Sequence, residues 1–600
     1  MSAPSRRPAQ WARMSFDYPL GSSLSGFTSI PEAISPTPAS VKWAKDSPSR
    51  PTTSWRKTRT FFLFLVAIGA LVAFWKVGRE EEAATRTIAV NLEEDGDASF
   101  RFATPVPALD PYEKHPIHDL MKNARKRWQK KLGKQSATLG AAVAEYRKRY
   151  RRDPPPGFQM WFDFARRNNV QLVDEFDSIN HDIAPFFSLP PAELRKRIAL
   201  LEKTSENHSF LRIRQGKLLP WTGAKWRDIL CDFFVSEIEE FVRLLPDLDI
   251  PLYLHDGPFH FIDAEAKQGY LAAAEAGDYA DESALPVGGK TPYVRVPHVE
   301  AERLLTQPHS CTRWRERSRT CPLDSPMRKN EMGLENRVTE NGPSFIYNLN
   351  PENEIPFSAK PHHKVIWRGS PDGVFVGQEL NWRTSHRFRA IYLTNSNDSV
   401  DFRKLRLTKK DFWGREYQVD QEETLASLNE RYMNVRATHK AVQCEEELCK
   451  HVDEVIDFAE RASLEEMADH RFVLDIDGNA YSARFRTHLE SNQVPLKSTR
   501  YPEWYSDRIE PWLHYVPLRE DYSDLYNILA FYTGDLSPER VGNHDELAEE
   551  IAVAGKEWAA KFWRPEDTKA YIFRLLLEYA RLMDPAREEP SKSWPHVPVL

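Results

Sequence analysis

Cysteine is scarce in this chain: five residues in 600, none in a CxxC pair and none clustered with histidine. That removes the usual sequence signature of a zinc site. A basic surplus is missing too. The first sixty residues hold nine Lys/Arg against three Asp/Glu, a balance of +6, which leaves −12 on the other 540. Such a body lacks the basic face that displaces counterions from nucleic acid, and nucleic acid drops out as a partner. No repeat of fixed period runs through the chain, which argues against solenoids and propellers. Long apolar runs are nearly absent: Phe61–Trp75, "FFLFLVAIGALVAFW", has only fifteen residues. What the chain does have is 41% apolar residues and 17 tryptophans, enough for real cores. Its length exceeds what one core serves, so two packed domains with appendages are expected.

By length alone, Phe61–Trp75 fits a buried core helix. Its flanks favour a single-pass signal anchor over residues 61–78. Arg50, Arg56, Lys57 and Arg59 precede it, while Glu80, Glu81 and Glu82 follow. The positive-inside bias then keeps the N-terminus cytosolic and sends the rest across the membrane. Sixty residues precede the run and no small-residue cleavage site follows it, unlike a signal peptide. A short span suits the thin membranes of the endoplasmic reticulum or Golgi. Asn207-His208-Ser209 and Asn397-Asp398-Ser399 have the form of glycosylation acceptors. Cys231, Cys311, Cys321, Cys444 and Cys449 all lie beyond the span, where disulfides form. Cys311–Cys321 and Cys444–Cys449 are the sequence-local pairs, but spacing leaves the connectivity open.

Residues 1–60, rich in Ser and Pro, read as a disordered tail, and 79–111 as a stem. Helical patterning covers "LGAAVAEYRKRYRR" and stops at Pro154-Pro155-Pro156-Gly157. "PAELRKRIALLEK" is a second helix. Residues 265–290 read as an Ala/Gly-rich surface insertion, and 301–364 are weakly patterned. From 365 the order sharpens: "KVIW", "RFVLDI", "VPLK" and "HYVPL" are strands. They alternate with helices over "EVIDFAERASLEEMADH", "SARFRTHLESN", "SDLYNILAFY", "HDELAEEIAVAGKEWAAKFW" and "PEDTKAYIFRLLLEYARL". This alternation predicts an α/β domain with a parallel sheet over 365–583, before a short tail, 584–600. His362-His363 reads as a solvated loop, His514 as core, and the last helix as packing rather than anchoring.

In such sheets ligands bind outside the carboxyl ends of the strands. "RFVLDIDGNAYSARFR" ends a strand there with Asp475 and Asp477, a glycine and two arginines. Gly478 permits a sharp turn, Ser482 can donate to a phosphate oxygen, and Arg484 and Arg486 carry guanidinium forks suited to a diphosphate. Positions two apart on a helix do not share a face, so one arginine, Arg484, is favoured. The same residues read equally as an Asp-Gly turn with solvated arginines. Asp475-Ile476-Asp477 also has the DxD form that holds a divalent cation against a nucleotide diphosphate, as does Asp247-Leu248-Asp249. A second strand exit, Arg368-Gly369-Ser370 before Pro371-Asp372-Gly373, could cradle phosphate or be an ordinary turn.

"KVIWRGSPDG", "HRFVLDIDGNAYSARFRTHLESNQVPLKST" and "EWYSDRIEPWLHYVPLREDYSDL", in this order, resemble glycosyltransferase family ninety, the capsule-associated-protein type that includes protein O-glucosyltransferases. Upstream, "DPPPGFQMWFDFARRNNVQLVDEFDSINHDIAPFF", "LPDLDIPLYLHDGPFHF" and "CPLDSPMR" resemble its fungal branch. The similarity runs from about 112 to 583. It implies a GT-B-like pair of Rossmann-type domains, 112–364 on the acceptor side and 365–583 on the donor side. It further implies an inverting transfer from a UDP-sugar, glucose or xylose foremost, to a hydroxyl of a protein or glycan, with no metal. Arg368, Gly369, Ser370, Ser482, Arg484 and Arg486 are then donor-binding candidates, and Asp477 and Gly478 shape the adjoining loop. Asp256 in "LHDGP" takes the place of the general base, although the residues alone make a good turn. The segment between Cys321 and Trp367 is short against the family pattern. A diverged, inactive paralogue that binds glycans or scaffolds other transferases is therefore the competing reading.

Overall fold

Prolines and glycines set the joints of the first half. The helix Leu139–Tyr150 ends on Arg151 at φ 51°, and the three prolines lead to Gly157 at φ 87°, which starts the helix Phe158–Arg167. A two-residue turn, Gln215-Gly216, joins strands β1 (His208–Arg214) and β2 (Lys217–Gly223); φ values of 50° and 70° match the twist of a tight hairpin. Strand β3 (Leu248–Tyr253) pairs on the other edge of β1, giving an antiparallel sheet β2-β1-β3.

The computed structural model describes Tyr112 and residues 114–225, 228–254, 264–280, 355–373, 375, 376 and 382–588, all within the compact unit Pro107–Leu600. The apolar run Phe61–Trp75, the tail and stem beside it, Cys311, Cys321 and the expected base Asp256 lie outside the described residues. Among the described residues no helix is long and apolar enough to cross a membrane.

In the second half β4 (His362–Gly369) comes first. An antiparallel hairpin of β5 (Phe402–Lys410) and β6 (Glu416–Thr424) stands apart from the main sheet. Then follow β7 (Met433–Ala437), β8 (His470–Ile476), β9 (Val494–Ser498) and β10 (Val516–Pro517). These five non-hairpin strands form one parallel sheet, order β10-β9-β8-β4-β7. Every residue of β8 and β9 is buried, as expected for strands covered on both faces. Read from the β7 edge, the strands run 2-1-3-4-5 along the chain, so the winding reverses between β4 and β8. The protein is thus mixed α/β with a parallel sheet, as the alternation predicts. The described strands of the first half pair antiparallel instead.

The two halves exchange helices. Ile117 and Met121, on the helix Pro116–Gly133, sit in the core of the parallel sheet with Trp367, Phe472 and Leu529. Conversely, the helix Pro565–Met583 packs into the first core, where Phe573 stacks on Phe241 at 4.5 Å and the Ala570 carbonyl accepts from the Trp161 indole at 2.9 Å. Arg574 on this helix lies buried among the rings of Tyr146, Phe158 and Trp161 and pairs with Glu578 at 3.1 Å.

Several local expectations need correction. The single helix over "EVIDFAERASLEEMADH" is broken: Glu446–Val455 ends, Phe458 bridges to Ala437 beyond β7, and Ser463 caps a new turn, Leu464–Ala468. His362-His363 is no solvated loop but the start of β4; His362 stacks on His470 at 4.5 Å and His363 meets Arg540 at 2.9 Å. Part of the expected surface insertion is the helix Ala264–Ala276, with Ala274 in the first core. Cys444 and Cys449 are disulfide-bonded, and Cys231 is buried.

Candidate functional site

At the reversal of winding, the crevice between two adjacent strand ends is the place where such sheets take ligands. Both strand exits singled out in the sequence arrive there. β4 delivers Gly369, Ser370 and the turn to Gly373; β8 delivers Asp477 and Gly478. The two loops touch: a Cβ built on Gly373, at φ +110°, would lie 3.0 Å from the Gly478 carbonyl oxygen. Gly478 itself does not adopt a positive φ among the described glycines. Its lack of a side chain makes room for Arg387, whose Nη2 lies 2.8 Å from where a Cβ would stand.

Arg387, near the start of the helix His386–Asn395, was not marked by the sequence, yet it ties the crevice together. It donates to the carbonyls of Asp477 (3.0 Å) and Ser370 (3.2 Å) and pairs with Asp372. Arg484 approaches from the other loop and donates to the Arg368 carbonyl at 2.7 Å. Both guanidinium groups stand 5.7 Å from the ring of the buried Trp367. The indole Nε1 of Trp367 has no hydrogen-bond partner among the described residues. Two cations against one aromatic ring, beside the Ser370 hydroxyl of a strand exit, form a half-buried cradle that can take an anion.

The remaining candidates are placed as follows. Ser482 lies at the crevice but donates to Asp475 at 2.6 Å. Arg486 turns along its own helix, Phe485–Glu490, to Glu490 at 2.8 Å. Arg368 sends only its carbonyl to the crevice. Its guanidinium reaches back to the Asn434 carbonyl (2.7 Å) and side chain (2.9 Å).

Under the crevice lies a buried charge cluster that the sequence did not expose. Lys497, opposite Asp475 in the β8–β9 register, binds Asp475 at 2.8 Å and Glu503 at 3.1 Å. Burial would raise the Asp475 pKa, but Lys497, His488 and the Ser482 hydroxyl outweigh it and hold the carboxyl below its usual range. Asp477 fares differently. Burial pushes it up to about 7, against the pull of Lys497 and of the Arg500 N–H that it accepts at 2.6 Å. Its Oδ1 has no partner among the described residues. Both carboxylates of the DxD are therefore enclosed, 0% and 2% exposed, and Asp475 is committed to a lysine. That donor set does not offer a hard cation the paired, open carboxylates it needs. His514 is core: its ring meets Trp128 edge-on at 4.6 Å and its Nδ1 accepts the Glu510 N–H.

Sheet order and crevice define a doubly wound α/β domain with a cation-lined crevice at its switch point. Residues 383–594 match the family described as Glycosyl transferase family 90, and they relate the chain to it. Protein O-glucosyltransferase 2 of Danio rerio is 28% identical over 114 residues, 19% of this chain and 21% of that protein. O-glucosyltransferase LpsA of Dichelobacter nodosus is 28% identical over 125 residues, 20% of this chain and 36% of its own. O-glucosyltransferase rumi of Drosophila melanogaster is 28% identical over 128 residues, 21% and 29% of the two chains. The matched stretch thus spans about a fifth to a third of these relatives' length.

Proposed function

We propose that the protein is a glycosyltransferase that moves a sugar, glucose or xylose, from a UDP donor to a hydroxyl of a protein or glycan, with inversion. The observation that carries this reading is the convergence of Arg387 and Arg484 on Trp367, beside Ser370 and Gly478 at the β4/β8 switch point, within or beside the residues 383–594 that match the family. There the guanidinium groups bind the diphosphate and stabilise the charge that grows on departing UDP. Arg484 is well set for this because rotation of one side chain exchanges a carbonyl acceptor for a phosphate. Arg368 and Arg486 serve the same pocket from behind, by holding β4 and the helix Phe485–Glu490. Asp256 takes the acceptor proton as oxygen attacks the anomeric carbon from the far side. No metal enters the transfer, in keeping with the Asp475–Lys497 pair.

In the same reading, 112–364 and 365–583 are the acceptor and donor halves of a GT-B arrangement of the fungal branch. Phe61–Trp75 anchors the chain as a type II protein of the endoplasmic reticulum or Golgi, body in the lumen. The test is UDP release by the full-length protein from a panel of UDP-sugars. Asp256→Asn is expected to keep UDP binding and lose transfer. No turnover on any donor together with no UDP binding would replace the enzyme by the inactive, glycan-binding paralogue.

A further inference from the structure

Away from the crevice, three side chains from three separate elements meet. They are His118 in the first turn of Pro116–Gly133, Glu416 at the start of β6, and His544 just before the helix Asp545–Phe562. One ring nitrogen from each imidazole and a Glu416 carboxylate oxygen lie within 4.8 Å of one another. The two rings are 5.1 Å apart, and both pack on Phe531, His118 at 5.2 Å and His544 at 4.2 Å. His544 is 5% exposed, and its Nε2 has no hydrogen-bond partner among the described residues. Its Nδ1 faces Glu546, 3.9 Å away. A buried nitrogen left without a partner destabilises a fold, so its persistence calls for a ligand.

We propose that His118, Glu416 and His544 bind a divalent transition-metal cation of the zinc type. Two imidazoles and one carboxylate are a borderline-soft set that suits zinc, whereas magnesium and calcium prefer oxygen alone. Burial lowers the pKa of both histidines, with His118 also opposing the charge on His544, which favours the neutral ring that keeps a lone pair to donate. Around a tetrahedral zinc the donor atoms stand about 3.3 Å apart, given bonds of roughly 2.0–2.1 Å. The exposed Glu416 and the half-buried His118 have the freedom to draw in by small rotamer changes, with water available on the Glu416 side. His115 adds a third imidazole nearby, but its Nδ1 accepts the Ile117 N–H at 3.3 Å. The cation would fasten the hairpin β5–β6 and the helix Pro116–Gly133 to the donor half. It takes no part in transfer, since none of its ligands lies at the β4/β8 crevice.

Full-length protein stripped with a chelator and then titrated with zinc tests this. Metal retained after gel filtration is read by elemental analysis, and Tm is followed in parallel. Cobalt serves as a spectroscopic probe of tetrahedral nitrogen/oxygen ligation. Wild type is expected to retain one equivalent, gain Tm and show tetrahedral cobalt bands. The double variant His118→Gln/Glu416→Gln changes only solvent-accessible side chains. It should match the Tm of stripped wild type and lose both the equivalent and the gain. Equal retention by wild type and double variant, or no retention by wild type, overturns the site.

Discussion

Replacing Asp477 by asparagine should turn a pH-sensitive protein into a less sensitive one. The Asp477 carboxyl is buried, accepts one backbone N–H through Oδ2, and leaves Oδ1 without a partner among the described residues. Its pKa stands at about 7 in the fold against 3.8 for an ordinary aspartate, as in the unfolded chain. The folded protein therefore holds that proton more tightly than the unfolded one. Stability from this group is full in acid below the unfolded value and is lost as pH rises through about 7. Three units at about 1.4 kcal/mol each set a ceiling of about 4 kcal/mol. Between about pH 5 and pH 8 the loss is roughly 2–3 kcal/mol, or on the order of 2–4 °C in Tm for two halves that share their cores and melt together. Asparagine keeps an oxygen for the Arg500 N–H and has no charge to bury. Melting curves of Asp477→Asn and wild type across this range cancel every titration the two share. The variant should gain on wild type steadily as pH rises. Parallel curves would refute the assignment of a protonated, desolvated carboxyl at this position.

Arg484→Ala should weaken UDP binding roughly 10–100-fold, the loss of one charge-assisted contact, while Arg486→Ala changes it little; calorimetry distinguishes them. Lys497→Met should destabilise the fold by about 3–5 kcal/mol in chemical denaturation, because it leaves Asp475 buried without a counter-charge. If the body is lumenal, Asn397, on an exposed loop, should carry an N-glycan, and mass spectrometry should find Asn207 bare, since His208 and Ser209 beside it are buried in β1.

The strands of the parallel sheet were legible because burial on both faces writes them as short apolar runs such as "FVL" in β8 and "VIW" in β4. Their exits announced themselves by Gly, Ser and Arg at the right ends, and the family likeness gave the same stretch. The hairpin β5–β6 escaped: in β5 only Leu405, Leu407 and Thr408 are buried and in β6 none is, so two leucines among charged residues leave a faint core pattern. The turn Gln215-Gly216 between β1 and β2 was a readable two-residue hairpin signal that went unused. Arg387 could not be found from one sequence, since nothing local separates it from Arg383 or Arg389. Lys497 reads as an ordinary strand residue until the register sets it against Asp475. His118, Glu416 and His544 obey no spacing rule, because only tertiary contact brings them together.

The exchange of helices between the two halves has a consequence for how the chain comes into being. A fragment ending at residue 364 would lack Phe485, Trp504, Trp558 and the stretch from Ala570 to Leu582, all members of its own interior. One starting at 365 would lack Ile117, Met121 and Phe357. Neither piece can be expected to stand by itself in solution. During synthesis, the interior of the first half closes only once the helix Pro565–Met583, made some two hundred residues after Phe357, has emerged.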